Sequence, residues 1–285
     1  MIIYSHSFNG LNTENTILFE RLASQGYVVL SIAHSYEAIV SISPDGEVIY
    51  ADLDYIFDLY DYDGELESAL WQEFYATEDI SRKTEIIEQV LGMDEEATQM
   101  LRARTEDAIF LVDELAAINT GMTIFDGKLD EERVGIMGYS FGGATAVEAC
   151  IADERFKAGI NLDGWPYGAN FNSGKPISQP FMLINAEAVY DDEAMVSDLI
   201  FAQIEGKGYR LNIAGTDHGN FWDFPLFFNI YKYLGYWMPM DPAQMSDILS
   251  TYTIAFFDEI LKGESSGVLS KDYSVFPEVG FSEKN

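Results

Sequence analysis

The stretch from Arg133 to Cys150, RVGIMGYSFGGATAVEAC, constrains the fold of this chain more than any other. An apolar run of strand character enters Gly138-Tyr139-Ser140-Phe141-Gly142, which fits G-x-S-x-G, and leaves as an Ala-rich run of helix character. A sharp strand-to-helix turn joins two such segments, and glycines on both sides of the serine let the two backbones approach closely. The turn lifts Ser140 clear of the strand end, at a helix N-terminus whose backbone N–H groups face an anion. A second match to the spacing, Gly263-Glu264-Ser265-Ser266-Gly267, lacks this setting. It follows the helix-like TIAFFDEILK, so Gly263 reads as a helix C-cap, and no strand precedes Ser265 and no His follows it.

The rest of the chain repeats the alternation. Strand candidates are Ile2–Ser5, Tyr27–Ile32, Arg133–Met137, Ala158–Leu162, Phe181–Asn185 and Tyr209–Ile213. Most are unbroken apolar segments, the pattern of strands covered on both faces. Helix candidates between them are Glu14–Gln25, Glu95–Asn119, Gly142–Ala152, Asp192–Glu205 and Trp222–Leu234, with Gly26 and Gly121 at C-cap positions. This predicts the α/β class: a mostly parallel central sheet with helices on both faces. No internal repeat or low-complexity linker divides the chain, so residues 1–285 read as one domain.

Composition narrows the partners. Of 285 residues, 48% are hydrophobic, enough for a large core, while 48 Asp+Glu against 16 Lys+Arg give a formal net charge of -32. Nucleic acid is excluded, because phosphate binding needs a basic surface, and docking to an anionic membrane through basic residues is disfavoured for the same reason. The single Cys150 rules out an intramolecular disulfide and a Cys-rich zinc site. No apolar run reaches the roughly 18 residues of a transmembrane helix. Met1 is followed at once by the strand-like Ile-Ile-Tyr, with no signal-type segment, so a truncated start and lost N-terminal strands are expected and export is left open.

Residues 41–99 break the rhythm. From Leu22 to Ser81 there is no Lys or Arg, against 13 acidic and 10 aromatic residues. YADLDYIFDLYDYDGELESALWQEFY reads as a loop passing into an amphipathic helix, and the segment as an acidic, cap-like helical insertion. Asp61–Glu65, DYDGE, looks like the middle of a calcium-binding loop. In that register positions 1 and 12 fall on Leu59 and Leu70, so an EF-hand is rejected.

A serine hydroxyl needs a base. In the α/β-hydrolase arrangement the order along the chain is nucleophile, acid, His, and of His6, His34 and His218 only His218 follows Ser140. It lies in TDHGNFWDF, after a strand. The acid is Asp163 at the end of KAGINLD, 23 residues after Ser140, or one strand later Glu187, Asp191 or Asp192; the pattern favours Asp163. Asp217 adjoins the base and points elsewhere. Oxyanion donors are the N–H of Phe141 and, from the loop after Ile2–Ser5, that of Phe8 or Ser7. His6 reads as orienting its loop, and His34 as structural or site-lining. Trp165 and Trp222 are candidates for an apolar substrate pocket.

GYSFGGAT, ERFKAGINLDGW and GTDHGNFWDF, in this order, resemble blocks of the plasma-type platelet-activating-factor acetylhydrolases, as do IIYSHSFNG…LASQGYVVLSIAHS and LRARTEDAIFLVDEL. The resemblance spans most of Met1–Asp223 and fades across 41–99 and after Tyr231. It implies an α/β-hydrolase fold, a Ser140–Asp163–His218 triad, oxyanion N–H groups at Phe8 and Phe141, and neither a metal nor a cofactor. Tyr139 stands where such relatives often carry His, and Ser7 where they carry Gly. The expected activity is serine-dependent ester hydrolysis on a small-molecule ester, either a short-chain or phospholipid-type acyl ester or a general ester or polyester. A non-catalytic hydrolase-fold binding module is the alternative, and the intact Ser, Asp and His argue against it. The acidic excess fits solubility in a saline habitat; beside an entrance it would attract a cationic headgroup such as choline.

Overall fold

The computed structural model describes all residues except 53, 55–63, 122–123, 189–190, 229–239, 271 and 273–274. At its centre is a seven-stranded sheet of β1 (Ile2–Ser5), β2 (Val29–Ile32), β5 (Val134–Tyr139), β6 (Phe156–Leu162), β7 (Phe181–Ala186), β8 (Gly208–Ile213) and β9 (Val279–Lys284). The order across it is β2-β1-β5-β6-β7-β8-β9, with every neighbouring pair parallel except the antiparallel β8–β9. This is the mostly parallel sheet that the unbroken apolar runs predict: all six residues of β5 and all four of β1 are buried.

Helices cover both faces, and side-chain alternation along the strands sorts the core into two layers. Ile3, Val134, Ile136 and Leu183 face α2 (Gly64–Ala76), α3 (Ile80–Met93), α4 (Glu95–Thr120), α5 (Phe141–Ala152), the short α6 (Ala169–Asn172) and α7 (Asp191–Gln203). Ile2, Tyr4, Met137, Ile160 and Met182 face α1 (Thr16–Ser24) and α9 (Pro242–Phe257). Each fully buried Phe or Ile contributes roughly 1.5–3 kcal/mol, and Phe156, Phe181, Phe256 and Phe257 are all of this kind. Acidic side chains start three of the helices: Asp79, Asp94 and Asp241 accept from first-turn N–H groups of α3, α4 and α9. Residues 41–99 carry α2 and α3 together with most of a small hairpin, β3 (Val40–Ile42) and β4 (Val48–Tyr50).

One expected element is corrected. The helix expected at Trp222–Leu234 is, among the described residues, the single turn α8 (Phe224–Phe227), because Pro225 in its first turn sets a start downstream of Trp222; residues 229–234 lie outside the described set. Gly263 caps the π-helical turn Asp258–Lys262 at φ 72°, as expected of the second G-x-S-x-G match, and Ser265 bonds Glu259. The calcium-loop candidate Asp61–Glu65 falls mostly outside the described residues. No helix among those described is long and apolar enough to cross a membrane.

Candidate active site

Ser140 joins β5 to α5 at φ 55° and ψ −121°, a backbone region that costs a non-glycine residue on the order of 1–3 kcal/mol. The Ser140 N–H donates to the Leu162 carbonyl at 2.8 Å, and its carbonyl accepts from Gly143 N–H at 2.8 Å. A Cβ at Gly138 would lie 2.2 Å from the Gly142 carbonyl oxygen, and one at Gly142 would lie 2.0 Å from that of Ser5. Those two glycines are therefore fixed by backbone approach.

Asp163 follows β6, also at positive φ (54°). Its Oδ1 accepts from Ala186 N–H at 2.8 Å and its Oδ2 lies 2.7 Å from Nδ1 of His218. Nε2 of His218 is 2.9 Å from Ser140 Oγ. An ionised carboxylate only accepts, so Nδ1 carries the proton and Nε2 is left basic toward the serine hydroxyl. The structure thus brings together Ser140, His218 and Asp163. The other acids have different partners: Glu187 accepts from Gly215 N–H at 2.7 Å, and Asp192 from Tyr75 Oη–H at 3.1 Å. The side chain of Asp191 lies outside the described residues. Asp217 forms a capping box with Asn220 over the His218–Asn220 turn, and burial raises its pKa.

Tyr139, the neighbour of Ser140, holds His218. Its Oη–H donates to the His218 carbonyl at 2.7 Å, and its ring lies 4.9 Å from the imidazole, centre to centre.

The loop after β1 is tied from two sides. Glu14, which burial pushes above its ordinary pKa, accepts from the Ser7 N–H and the Ser7 Oγ–H, both at 2.7 Å. The Ser7 N–H is therefore committed, which leaves the Phe8 N–H as this loop's candidate donor to an oxyanion beside Phe141. Arg104, 1% exposed, donates to Glu37 and to the carbonyls of His6 and Ser7. His6 Nδ1–H reaches the Ser7 carbonyl at 2.7 Å, and His6 Nε2 accepts from His34 N–H at 3.2 Å. Burial, reinforced by Arg104, holds the His6 pKa down to about 2, so the ring is neutral. His34 bonds Ser5 Oγ at 2.9 Å and Asp107 at 2.8 Å. Both histidines thus do the orienting and structural work their positions suggested.

Ser140 opens into a cavity of about 770 Å³, within the range of small-molecule sites. Trp165 lines it, as do Phe8 and Phe141, whereas Trp222 stacks on Phe224 at 4.9 Å outside that lining. Sequence reasoning missed Glu14, Arg104, Trp71 and Tyr167. For Arg104 a signal existed: a charged residue at helical spacing on the apolar face formed by Leu101, Ala108 and Val112. Glu14, Trp71 and Tyr167 reach the site through tertiary packing that local patterns do not encode.

A family model described as "Platelet-activating factor acetylhydrolase, isoform II" matches residues 1–270. The platelet-activating factor acetylhydrolase of Cavia porcellus is 25% identical over 92% of this chain and 57% of its own length. A probable 1-alkyl-2-acetylglycerophosphocholine esterase of Arthroderma benhamiae is 25% identical over 62% of this chain and 48% of its own. The chain spans about half the length of the curated relatives it matches. Among solved structures, a ferulic acid esterase from Streptomyces cinnamoneus superposes with a TM-score of 0.72 at 24% identity, covering 98% of this chain and 72% of that one. This likeness and the sheet order establish an α/β-hydrolase fold.

Proposed function

Because the chain belongs to the platelet-activating factor acetylhydrolase isoform II family, we propose that it is a serine-dependent carboxylic ester hydrolase whose reacting residues are Ser140, His218 and Asp163. The observation that carries this reading is the continuous line from Asp163 through His218 to Ser140, with contacts of 2.7 and 2.9 Å at a strained turn.

In this mechanism Ser140 Oγ attacks the ester carbonyl carbon while His218 Nε2 takes its proton. The carbonyl oxygen becomes an oxyanion held by the N–H groups of Phe8 and Phe141. Asp163 keeps the His218 ring oriented and stabilises the imidazolium. The tetrahedral intermediate collapses, the C–O bond to the alcohol breaks, and His218 returns the proton to the leaving oxygen. Water, deprotonated by His218, then attacks the acyl-serine and releases the carboxylic acid. No step calls on a metal or a cofactor.

We read residues 1–285 as one domain and residues 41–99 as a cap. Glu67 and Trp71 from α2 and Val90 and Met93 from α3 line the cavity, which supports the cap. The relatives' names bring in acetyl esters of glycerophosphocholine. An aromatic wall running Phe8–Phe141–Tyr167–Trp165–Trp71, with ring centres 6.2 to 6.4 Å apart, supports a second reading in which the acyl group is aromatic, in line with the ferulic acid esterase neighbour.

The test is a series of p-nitrophenyl esters of increasing acyl length. Turnover that drops by about 10⁴-fold or more in Ser140→Ala is expected. Turnover untouched by that substitution on every ester would remove the proposal.

A further inference from the structure

The cavity is chemically divided about the reacting residues. On the β1 and β5 side its lining is mainly apolar: Phe8, Phe141, Tyr167 and Met100, continued by Trp165 and Trp71, with Glu67 beside Trp71 and Asp94 ahead of Met100 as its acids. On the other side, between β7, β8 and α7, the lining gathers Asn185, Glu187, Ser197, Asp198, Arg210 and Asn212, interspersed with the small or aliphatic Ala186, Ala188, Ala194, Val196 and Ile200. Five of these polar groups pair in two separate sets. Asn185 Nδ2 donates to Ser197 Oγ at 2.8 Å and to Asn212 Oδ1 at 3.2 Å, and Arg210 pairs with Asp198. Arg210 Nε is buried and finds no acceptor among the described residues.

The order of groups around the attacked carbon assigns these two limbs. The oxyanion points to Phe8 and Phe141, and the leaving oxygen must face His218, the group that protonates it. His218 enters from the β8 side, and its neighbours Thr216 and Asp217 line the polar limb; Thr216 Oγ1 accepts from Glu187 N–H at 3.3 Å. The alcohol portion of the ester therefore lies in the polar limb, and the acyl portion in the aromatic one.

Resting on the ester-hydrolase reading above, we propose that the polar limb is an alcohol subsite for an uncharged, hydroxyl-bearing group, a glycerol- or sugar-like polyol, and that it rejects phosphorylated alcohols. Its amides and its hydroxyl supply donors and its carboxylates supply acceptors, groups that a polyhydroxy compound pairs with and a hydrocarbon does not. A phosphate would meet Glu187, Asp198 and Asp217, against one Arg210 already paired with Asp198. Like charges brought together in a partly dry cavity repel. This alcohol preference differs from the phosphocholine esters named for the relatives.

The experiment keeps one acyl group and varies the alcohol: methyl benzoate, 1-benzoylglycerol and its 3-phosphate, with p-nitrophenyl acetate and Ser140→Ala run alongside. The expected kcat/KM for the glycerol ester exceeds that of both other benzoyl esters by about tenfold. Asn212→Ala brings the glycerol-to-methyl ratio close to one. Asp198→Asn, at an exposed carboxylate, raises kcat/KM on the phosphorylated ester severalfold by releasing Arg210. Ser140-dependent hydrolysis of p-nitrophenyl acetate without a preference for the glycerol ester, or with ratios unmoved by the two substitutions, overturns the subsite and leaves the hydrolase reading standing. Loss of Ser140-dependence on p-nitrophenyl acetate overturns both.

Discussion

At the scale of single residues, the site depends on neighbours that do not react. Tyr139 is adjacent to Ser140 in the chain and bonded to the carbonyl of His218, so one dipeptide fixes Ser140 and His218 relative to each other. Replacing Tyr139 by Phe keeps the ring against the imidazole and removes the one hydrogen bond, a change of about 0.5–1.5 kcal/mol. Steady-state kinetics of Tyr139→Phe are expected to show kcat lowered by roughly three- to tenfold, with KM held within about twofold. An unchanged kcat would mean that the bond does not position His218. Tyr139 and Ser7, two departures from the motifs of the family the sequence resembles, both make short, specific bonds, to the His218 carbonyl and to Glu14.

At the scale of elements, α4 does more than cover the sheet. It carries Arg104 from its apolar face into the loop after β1, where the guanidinium joins Glu37 to two loop carbonyls. Removing one member of a buried ion pair strands the other, at a cost of about 3–5 kcal/mol. Denaturant unfolding of Arg104→Ala should register a loss of that size, together with loss of esterase activity; a change below about 1 kcal/mol would contradict the clamp. What the sequence made legible at this scale follows from physical pattern. Six strands, β1, β2 and β5 to β8, were readable because each is a dense apolar run, and α4 because its period is sustained and Gly121 follows it. β9 was not readable: in Val279–Lys284 two apolar residues share the strand with Gly, Ser, Glu and Lys, and none of the six is buried at this edge of the sheet. The β3–β4 hairpin carries a turn signal, Pro44-Asp45-Gly46 with Gly46 at φ 89°, that the surrounding acidic stretch obscured. In the site, Ser140, His218 and Asp163 were legible from motif, chain order and strand ends. The cavity wall was not, since Trp71 and Tyr167 lie 96 residues apart in the chain and are joined through Trp165.

At the scale of the whole molecule, the net charge of -32 has a partial location. Glu67, Asp94, Glu187, Glu193, Asp198 and Asp217 all line the cavity. Such an excess repels itself in the compact state, and added salt shortens that repulsion to a Debye length of about 10 Å at 0.1 M. The melting temperature is therefore expected to rise by several degrees between about 10 mM and 500 mM NaCl, measured by calorimetry; a flat or falling trend would show that the carboxylates are already neutralised by their surroundings. The central claim, that the serine of the strand-to-helix turn forms a covalent acyl-enzyme, has a more direct measurement. The chain is treated with a stoichiometric p-nitrophenyl organophosphate, and intact-mass and peptide mass spectrometry locate the adduct. The account predicts a single adduct per chain on the peptide containing Ser140, abolished in Ser140→Ala and strongly slowed in His218→Ala. An adduct on another residue, such as Ser265, or labelling that persists in Ser140→Ala, would contradict it.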